Sequence, residues 1–193
     1  MNFLAHTYLS CSNEDLLLGN FLADFLKDNE IQHLPKSFLI GIDLHRKIDS
    51  FTDEHPAVLE VNKLFHETHR KYAPVVTDVL FDLVLARNWK HFHRESLEKY
   101  TEEIYDILLK HQDHFPTRRK QTILNMINGG FLMKYTDIEG LKFTFDHLDR
   151  RTKGRGNFAA AIENINKTYP SLEEAFHQFF PELIQEVEEF CNC

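Results

Sequence analysis

The sequence predicts an all-α fold, a single multi-helix bundle domain. Three observations predict it. Apolar residues recur at three- and four-residue spacing along almost the whole chain, and no stretch alternates as a half-buried strand does. Five prolines, Pro35, Pro56, Pro74, Pro116 and Pro170, fall where a new periodic segment starts, a place where a missing backbone N–H is harmless. The 193 residues include only 7 Gly but 17 Phe, so turn residues are too few for a β-sandwich while material for a core is ample.

In chain order the pattern places helices near 14–29, 36–51, 56–71, 74–92, 95–112, 117–134, 137–149, 155–168 and 171–190. The first rests on Leu16-Leu17-Leu18 and Phe21-Leu22. The second to fourth follow Pro35, Pro56 and Pro74, and the sixth follows Pro116. The fifth, seventh and eighth rest on apolar recurrence. The last follows Pro170, where Ser171 and Glu174 have capping-box spacing. Gly129-Gly130 marks a hinge or tight turn. No internal repeat and no linker divides the chain, so one domain over residues 1–193 is expected.

Composition excludes several functions. A net charge of −8 argues against a nucleic-acid partner. No run approaches the ~18 apolar residues of a membrane span. The opening Met1-Asn2-Phe3-Leu4-Ala5-His6 has no basic region or long apolar run, so no cleaved secretory signal is expected. Cys11, Cys191 and Cys193, an odd number, do not read as a disulfide framework, and a cytoplasmic setting is the expectation. There is no Walker loop, no G-x-G-x-x-G, no G-x-S-x-G elbow and no C-x-x-C pair. Two basic clusters interrupt the acidic chain: Arg118-Arg119-Lys120, and Arg150, Arg151, Lys153 and Arg155. Each suits a solvated helix end or an acidic partner.

The residues that break the apolar faces are the informative ones. His45 and Asp49 are i,i+4 neighbours flanked by Ile42 and Ile48, whereas Arg46, Lys47, Ser50 and Glu54 fall on the opposite side. Asp78 and Asp82 lie i,i+4 on a segment, Val75–Ala86, that is apolar nearly all round and therefore reads as buried. Asp24 is a lone acid in an apolar segment with Asn20 one turn before it, and His6 lies in an apolar opening. An unpaired buried carboxylate costs several kcal/mol, so each acid needs a cation or donors. Arginines such as Arg46, Arg70 and Arg87 are one answer. The other is a divalent ion: imidazole with carboxylate suits Mn2+, Fe or Zn2+, and an oxygen-rich set leans to Mn2+ or Mg2+. His55 precedes Pro56 and could cap a helix or line the mouth of a site. His66, His69, His91 and His93 read as surface or capping residues.

An ordered set of short motifs then carries a resemblance. Met1-Asn2-Phe3-Leu4-Ala5-His6, Gly19-Asn20-Phe21-Leu22-Ala23-Asp24, Gly41-Ile42 with Leu44-His45-Arg46 and Ile48-Asp49, Thr52-Asp53 and His55-Pro56 come first. Tyr72-Ala73-Pro74, Asp78-Val79, Asp82, Leu85-Ala86-Arg87-Asn88-Trp89 and Asp149-Arg150-Arg151 follow. Together they resemble the acyl carrier protein phosphodiesterases over nearly the whole chain, most densely over residues 1–90. The resemblance implies an all-helical, HD-like domain, a divergent relative of the HD-type metal phosphohydrolases. It also implies hydrolysis of the phosphodiester that joins 4′-phosphopantetheine to a serine of holo acyl carrier protein. The implied cofactor is a divalent metal, Mn2+ first, with Mg2+ or Fe as alternatives. One departure is Leu83, which stands where the family pattern commonly has His.

The expectation is therefore that Asp24, His45, Asp49, Asp78 and Asp82 surround the metal, directly or by orienting its ligands. His6 or His55 is the candidate proton donor to the leaving serine, and Arg46 the candidate phosphate ligand. Holo acyl carrier protein is acidic, so Arg150, Arg151, Lys153 and Arg155 are the first choice for docking it. Alternatives are the same chemistry on another phosphoester such as a nucleotide, or a non-catalytic helical module that binds a carrier protein.

Overall fold

The structure, a computed structural model, describes residues 1–191. Its α-helices are α1 (Phe3–Tyr8), α2 (Glu14–Ala23), α3 (Asp28–Ile31), α4 (Lys36–Glu54), α5 (Pro56–His69), α6 (Ala73–Arg87) and α7 (Trp89–Phe92). They continue with α8 (Leu97–Lys110), α9 (Lys120–Asn128), α10 (Ile138–Thr152), α11 (Ala160–Glu163), α12 (Ile165–Glu186) and α13 (Glu188–Cys191). Short 3-10 turns lie at Arg70–Tyr72, Gln112–His114 and Phe131–Tyr135. Among the described residues there is no strand, and no helix is long and apolar enough to cross a membrane. The all-helical expectation holds.

Helix α6 runs through the centre. Val76, Val79, Leu80, Phe81, Leu83, Val84 and Leu85 are all fully buried, as its apolar circumference requires. It meets α1, α5 and α12, and the Phe81 ring lies 5.6 Å from both Phe176 and Phe179 of α12. Leu83 fills part of this core.

Helix α12 corrects the expected break after 168. Residues 165–186 form one helix with Pro170 and Pro181 inside it, so Ser171 and Glu174 do not start an element. A mid-helix proline costs about 3 kcal/mol. The face of α12 buries Leu172, Phe176, Phe179, Phe180 and Leu183, each contributing about 1.5–3 kcal/mol. Burial therefore outweighs the proline penalty. The helix expected over 14–29 ends instead at Ala23, with Asp24 as its C-terminal cap.

Two further readings change. His69 is buried, and its Nδ1 lies 3.0 Å from the Gly156 carbonyl oxygen, pinning the turn after α10 to the end of α5. Cys11 and Cys191 form a disulfide, with Cα atoms 5.5 Å apart, within the usual range for such bridges. Sequence spacing did not reveal this pair, because α13 returns to the loop after α1 from the far end of the chain. Cys193 lies outside the described residues.

Candidate metal centre

The centre is built where α2 crosses α4. The two backbones touch there because both carry glycine at the crossing. A Cβ on Gly19 would sit 2.0 Å from the Phe38 carbonyl oxygen, and one on Gly41 would sit 2.4 Å from the Leu16 carbonyl oxygen. Asn20 follows Gly19, and His45 lies one turn after Gly41, so this crossing drives their side chains together.

Helix α1 delivers His6. It is only six residues long, too short to stand alone, and is held at its N-terminus from outside. The Asn2 side chain accepts from Phe3 N, and fully buried Asp82 accepts from Leu4 N at 2.7 Å and Ala5 N at 3.2 Å. Asp82 thus satisfies amides the helix cannot. Burial pushes its carboxyl up to about 7, against the pull of those amides and the Met1 amine.

These anchors place His6, His45 and Asp49 in one group. Their ligand atoms all lie within 4.8 Å of one another. Asp49 faces both imidazoles: Oδ1 is 3.1 Å from His6 Nε2, and Oδ2 is 3.1 Å from His45 Nε2. The two rings stack with centroids 4.4 Å apart. Asp24 Oδ1 is 3.9 Å from His45 Nε2, at the more exposed side. The Met1 amine lies 3.0 Å from Asp78 Oδ1 and 3.9 Å from Asp49 Oδ1.

The electrostatics follow from this arrangement. Burial alone would raise Asp49, but hydrogen bonds from His45 and His6, with the charges of His6 and the Met1 amine, hold it well below the usual carboxylate range. Burial alone would lower His45, but its bond to Asp49 and the charges of Asp24 and Asp49 raise it. Partial burial and then the Asp78 charge raise Asp53.

The donor set fits a divalent ion. Two borderline imidazole nitrogens with a hard carboxylate form a mixed set suited to Mn2+, Fe or Zn2+. The two Asp49 oxygens each face one imidazole at 3.1 Å, so all three residues would turn a ligand atom toward a shared cation. A cation competes with the proton for the His45 Nε2 lone pair, and His45 holds its proton more tightly than a free imidazole. Mn2+ affinity should therefore fall as pH drops through the raised His45 pKa, by about tenfold per pH unit for one displaced proton. Calorimetric titration with Mn2+ at several pH values checks this. A flat profile would exclude His45 as a ligand.

The remaining expected residues fall in distinct places. Asp78 pairs with the Met1 amine, and Asp82 caps α1. Arg46 is exposed and pairs with Asp43 at 3.2 Å, while Arg87 lies over the Tyr169 ring, so neither neutralises the buried acids. His55 caps α5 by accepting from Ala57 N, and its Nε2 lies 3.2 Å from Glu182 Oε2, in a groove with Phe51 and Gln178. Sequence reasoning gave no role to Asn20 or to the Met1 amine. Asn20 did leave a signal, as a polar residue inside the apolar run 16–22.

Helices meeting on two imidazoles and a carboxylate at ligand spacing define a class: an all-helical protein with a candidate divalent-cation centre. The family model for acyl carrier protein phosphodiesterase matches residues 1–183, and the chain belongs to that family. Among similar proteins, the acyl carrier protein phosphodiesterase of Serratia proteamaculans (strain 568) is 30% identical over 190 residues, covering 98% of each chain. That of Yersinia pestis is 29% identical over 189 residues, covering 97% of this chain and 98% of its own. That of Escherichia coli O6:H1 is 29% identical over 195 residues, covering 96% and 97%. No solved structure matches the chain significantly.

Proposed function

We propose that this protein is a metal-dependent phosphodiesterase that removes 4′-phosphopantetheine from holo acyl carrier protein. Water adds across the bond between phosphorus and the serine oxygen, giving 4′-phosphopantetheine and the free serine hydroxyl of the apo protein. The observation that carries this reading is the His6–His45–Asp49 group at ligand spacing in a chain of this family.

In this reading His6, His45 and Asp49 hold the cation, Mn2+ first, and Asp24 stands ready at the exposed edge. When bound, the ion supplies Lewis acidity to the phosphoryl group and acidifies water. Asp49 takes the His6 and His45 Nε2 protons as hydrogen-bond partners when the imidazoles are charged. Asp82 and Asp78 support the centre from behind by fixing α1 and the Met1 amine. Arg46, proposed from the sequence as the phosphate ligand, would have to leave Asp43 and reach round from the exposed face of α4. A cytoplasmic setting is proposed from the sequence; the Cys11–Cys191 disulfide runs against it, because the cytoplasm is reducing.

Docking of the acidic carrier protein falls to Arg150, Arg151, Lys153 and Arg155. All four are exposed, and among the described residues none has an ion-pair partner. The competing cluster is partly neutralised, with Arg118 on Glu30 and Lys120 on Asp113. The 150–155 turn is tied to the end of α5 by the His69–Gly156 contact, and Phe158 beyond it packs on Tyr72 at the start of α6. Reversing Arg150 and Arg151 to Glu should raise KM about tenfold, equivalent to about 1.4 kcal/mol, and weaken its salt dependence. An unchanged KM would move docking elsewhere.

Purified protein with Mn2+ and holo acyl carrier protein, followed by intact mass, tests the activity. Loss of the phosphopantetheine mass is expected. No loss from a protein shown to hold Mn2+ would overturn the assignment.

A further inference from the structure

Asn20 touches both imidazoles of the candidate centre, and its geometry determines which of their nitrogens carry protons. Its side chain is buried on α2. Nδ2 donates to the His6 carbonyl oxygen at 2.9 Å and to Ser10 Oγ at 3.1 Å. A backbone carbonyl only accepts, so the carboxamide cannot be turned round without setting oxygen against oxygen. Oδ1 is thereby aimed at His6 Nδ1, 2.7 Å away, and at His45 Nδ1, 3.1 Å away.

A carbonyl oxygen has two lone pairs and no proton to give. Both imidazoles must therefore donate to it, and each Nδ1 carries hydrogen. The Asp49 carboxylate also only accepts, so without a cation its 3.1 Å contacts to both Nε2 atoms are hydrogen bonds from imidazolium rings. Once a cation replaces those Nε2 protons, the Asn20 bond keeps each proton on Nδ1 and leaves each Nε2 lone pair for the ion. Ser10 braces the same amide: its Oγ donates to the His6 carbonyl oxygen at 2.9 Å while accepting from Asn20.

We propose that Asn20 is a positioning residue: one side-chain oxygen holds His6 and His45 together in the Nδ1–H form and presents two Nε2 lone pairs to a divalent cation. This rests on reading His6, His45 and Asp49 as a metal centre. One amide thereby orients two ligands from different helices. Loss of a single such partner costs about 10–100-fold in metal affinity.

The test uses the full chain, with Mn2+ for affinity by calorimetry and Zn2+, which is diamagnetic, for nitrogen-15 NMR of the imidazoles. Wild type should show two slowly exchanging Nδ1–H protons and, with Zn2+, two metal-shifted Nε2 signals. Asn20→Asp keeps an acceptor toward both rings but sets its second oxygen against the His6 carbonyl oxygen, so it should keep the Nδ1–H pattern while lowering the melting temperature. Asn20→Leu removes the acceptor at similar volume. It should weaken Mn2+ binding about 10–100-fold and, at alkaline pH without metal, move at least one ring to the Nε2–H form. Equal losses in both variants with unchanged ring protonation would reduce Asn20 to packing and overturn the proposal. If Asn20→Leu does not fold, Zn2+-loaded wild type whose metal-shifted imidazole signals are Nδ1 rather than Nε2 overturns it equally. Wild type that shows the Nδ1–H pattern but binds neither ion would overturn the centre instead.

Discussion

Asp49→Ala should lower kcat/KM for holo acyl carrier protein by at least about 1,000-fold, equivalent to about 4 kcal/mol of transition-state stabilisation. Asp49 is the group that faces both imidazole Nε2 atoms, and it reaches the Met1 amine as well. Its side chain is 44% exposed, so truncation opens no core cavity, and the helical circular dichroism signal and a cooperative melt should persist. Its carboxyl, held well below the unfolded value by His45, His6 and the Met1 amine against the pull of burial, contributes stability above a pH of about 4. That contribution is lost as pH falls through the folded pKa. The melting temperature of the wild type should therefore decline in strong acid, and Asp49→Ala should lack this part of the decline. Normal turnover by a folded Asp49→Ala protein would place the chemistry elsewhere.

Gly41→Ala should cost about 3 kcal/mol of stability and weaken Mn2+ binding together. The added methyl would fall 2.4 Å from the Leu16 carbonyl oxygen, 2.8 Å from Gly19 Cα and 2.9 Å from Asn20 N, all backbone atoms of α2. No rotamer change relieves that overlap, so the helices must part, the upper end of the usual cost of overpacking. For a chain of this size the melting temperature should fall by about 6–12 °C. The loss of affinity follows because Asn20 rides on α2 and His45 on α4. A thermal melt beside a calorimetric titration reads both effects. An unchanged melt would mean that the two backbones are not in contact.

Much of the fold is legible without coordinates, because its signals are local. Pro35, Pro56 and Pro74 mark the starts of α4, α5 and α6 to within a residue or two. The apolar circumference of residues 75–86 correctly announces a helix buried on every side. The face carrying His45 and Asp49 is visible in the spacing, and both side chains do point into one site. Pro170 misleads, because its local penalty is smaller than the burial gained along the face of α12. The cysteine pair is invisible for a related reason: 180 residues separate Cys11 from Cys191, and spacing that long carries no information about proximity.

Buried acids show the same division. Periodicity reveals that Asp78 and Asp82 need partners. It does not reveal that those partners are the Met1 amine and the first amides of α1 rather than arginines. Likewise, His6 and His45 are each recognisable as polar residues on apolar faces, and the family is readable from their surrounding motifs. Their meeting depends on a helix crossing made close by Gly19 and Gly41 and on a short helix held by Asp82. Helical periodicity is a property of neighbouring residues and so is written along the chain. Which faces meet is settled by long-range packing, where one glycine contact and one buried carboxylate bring distant residues to hydrogen-bonding distance.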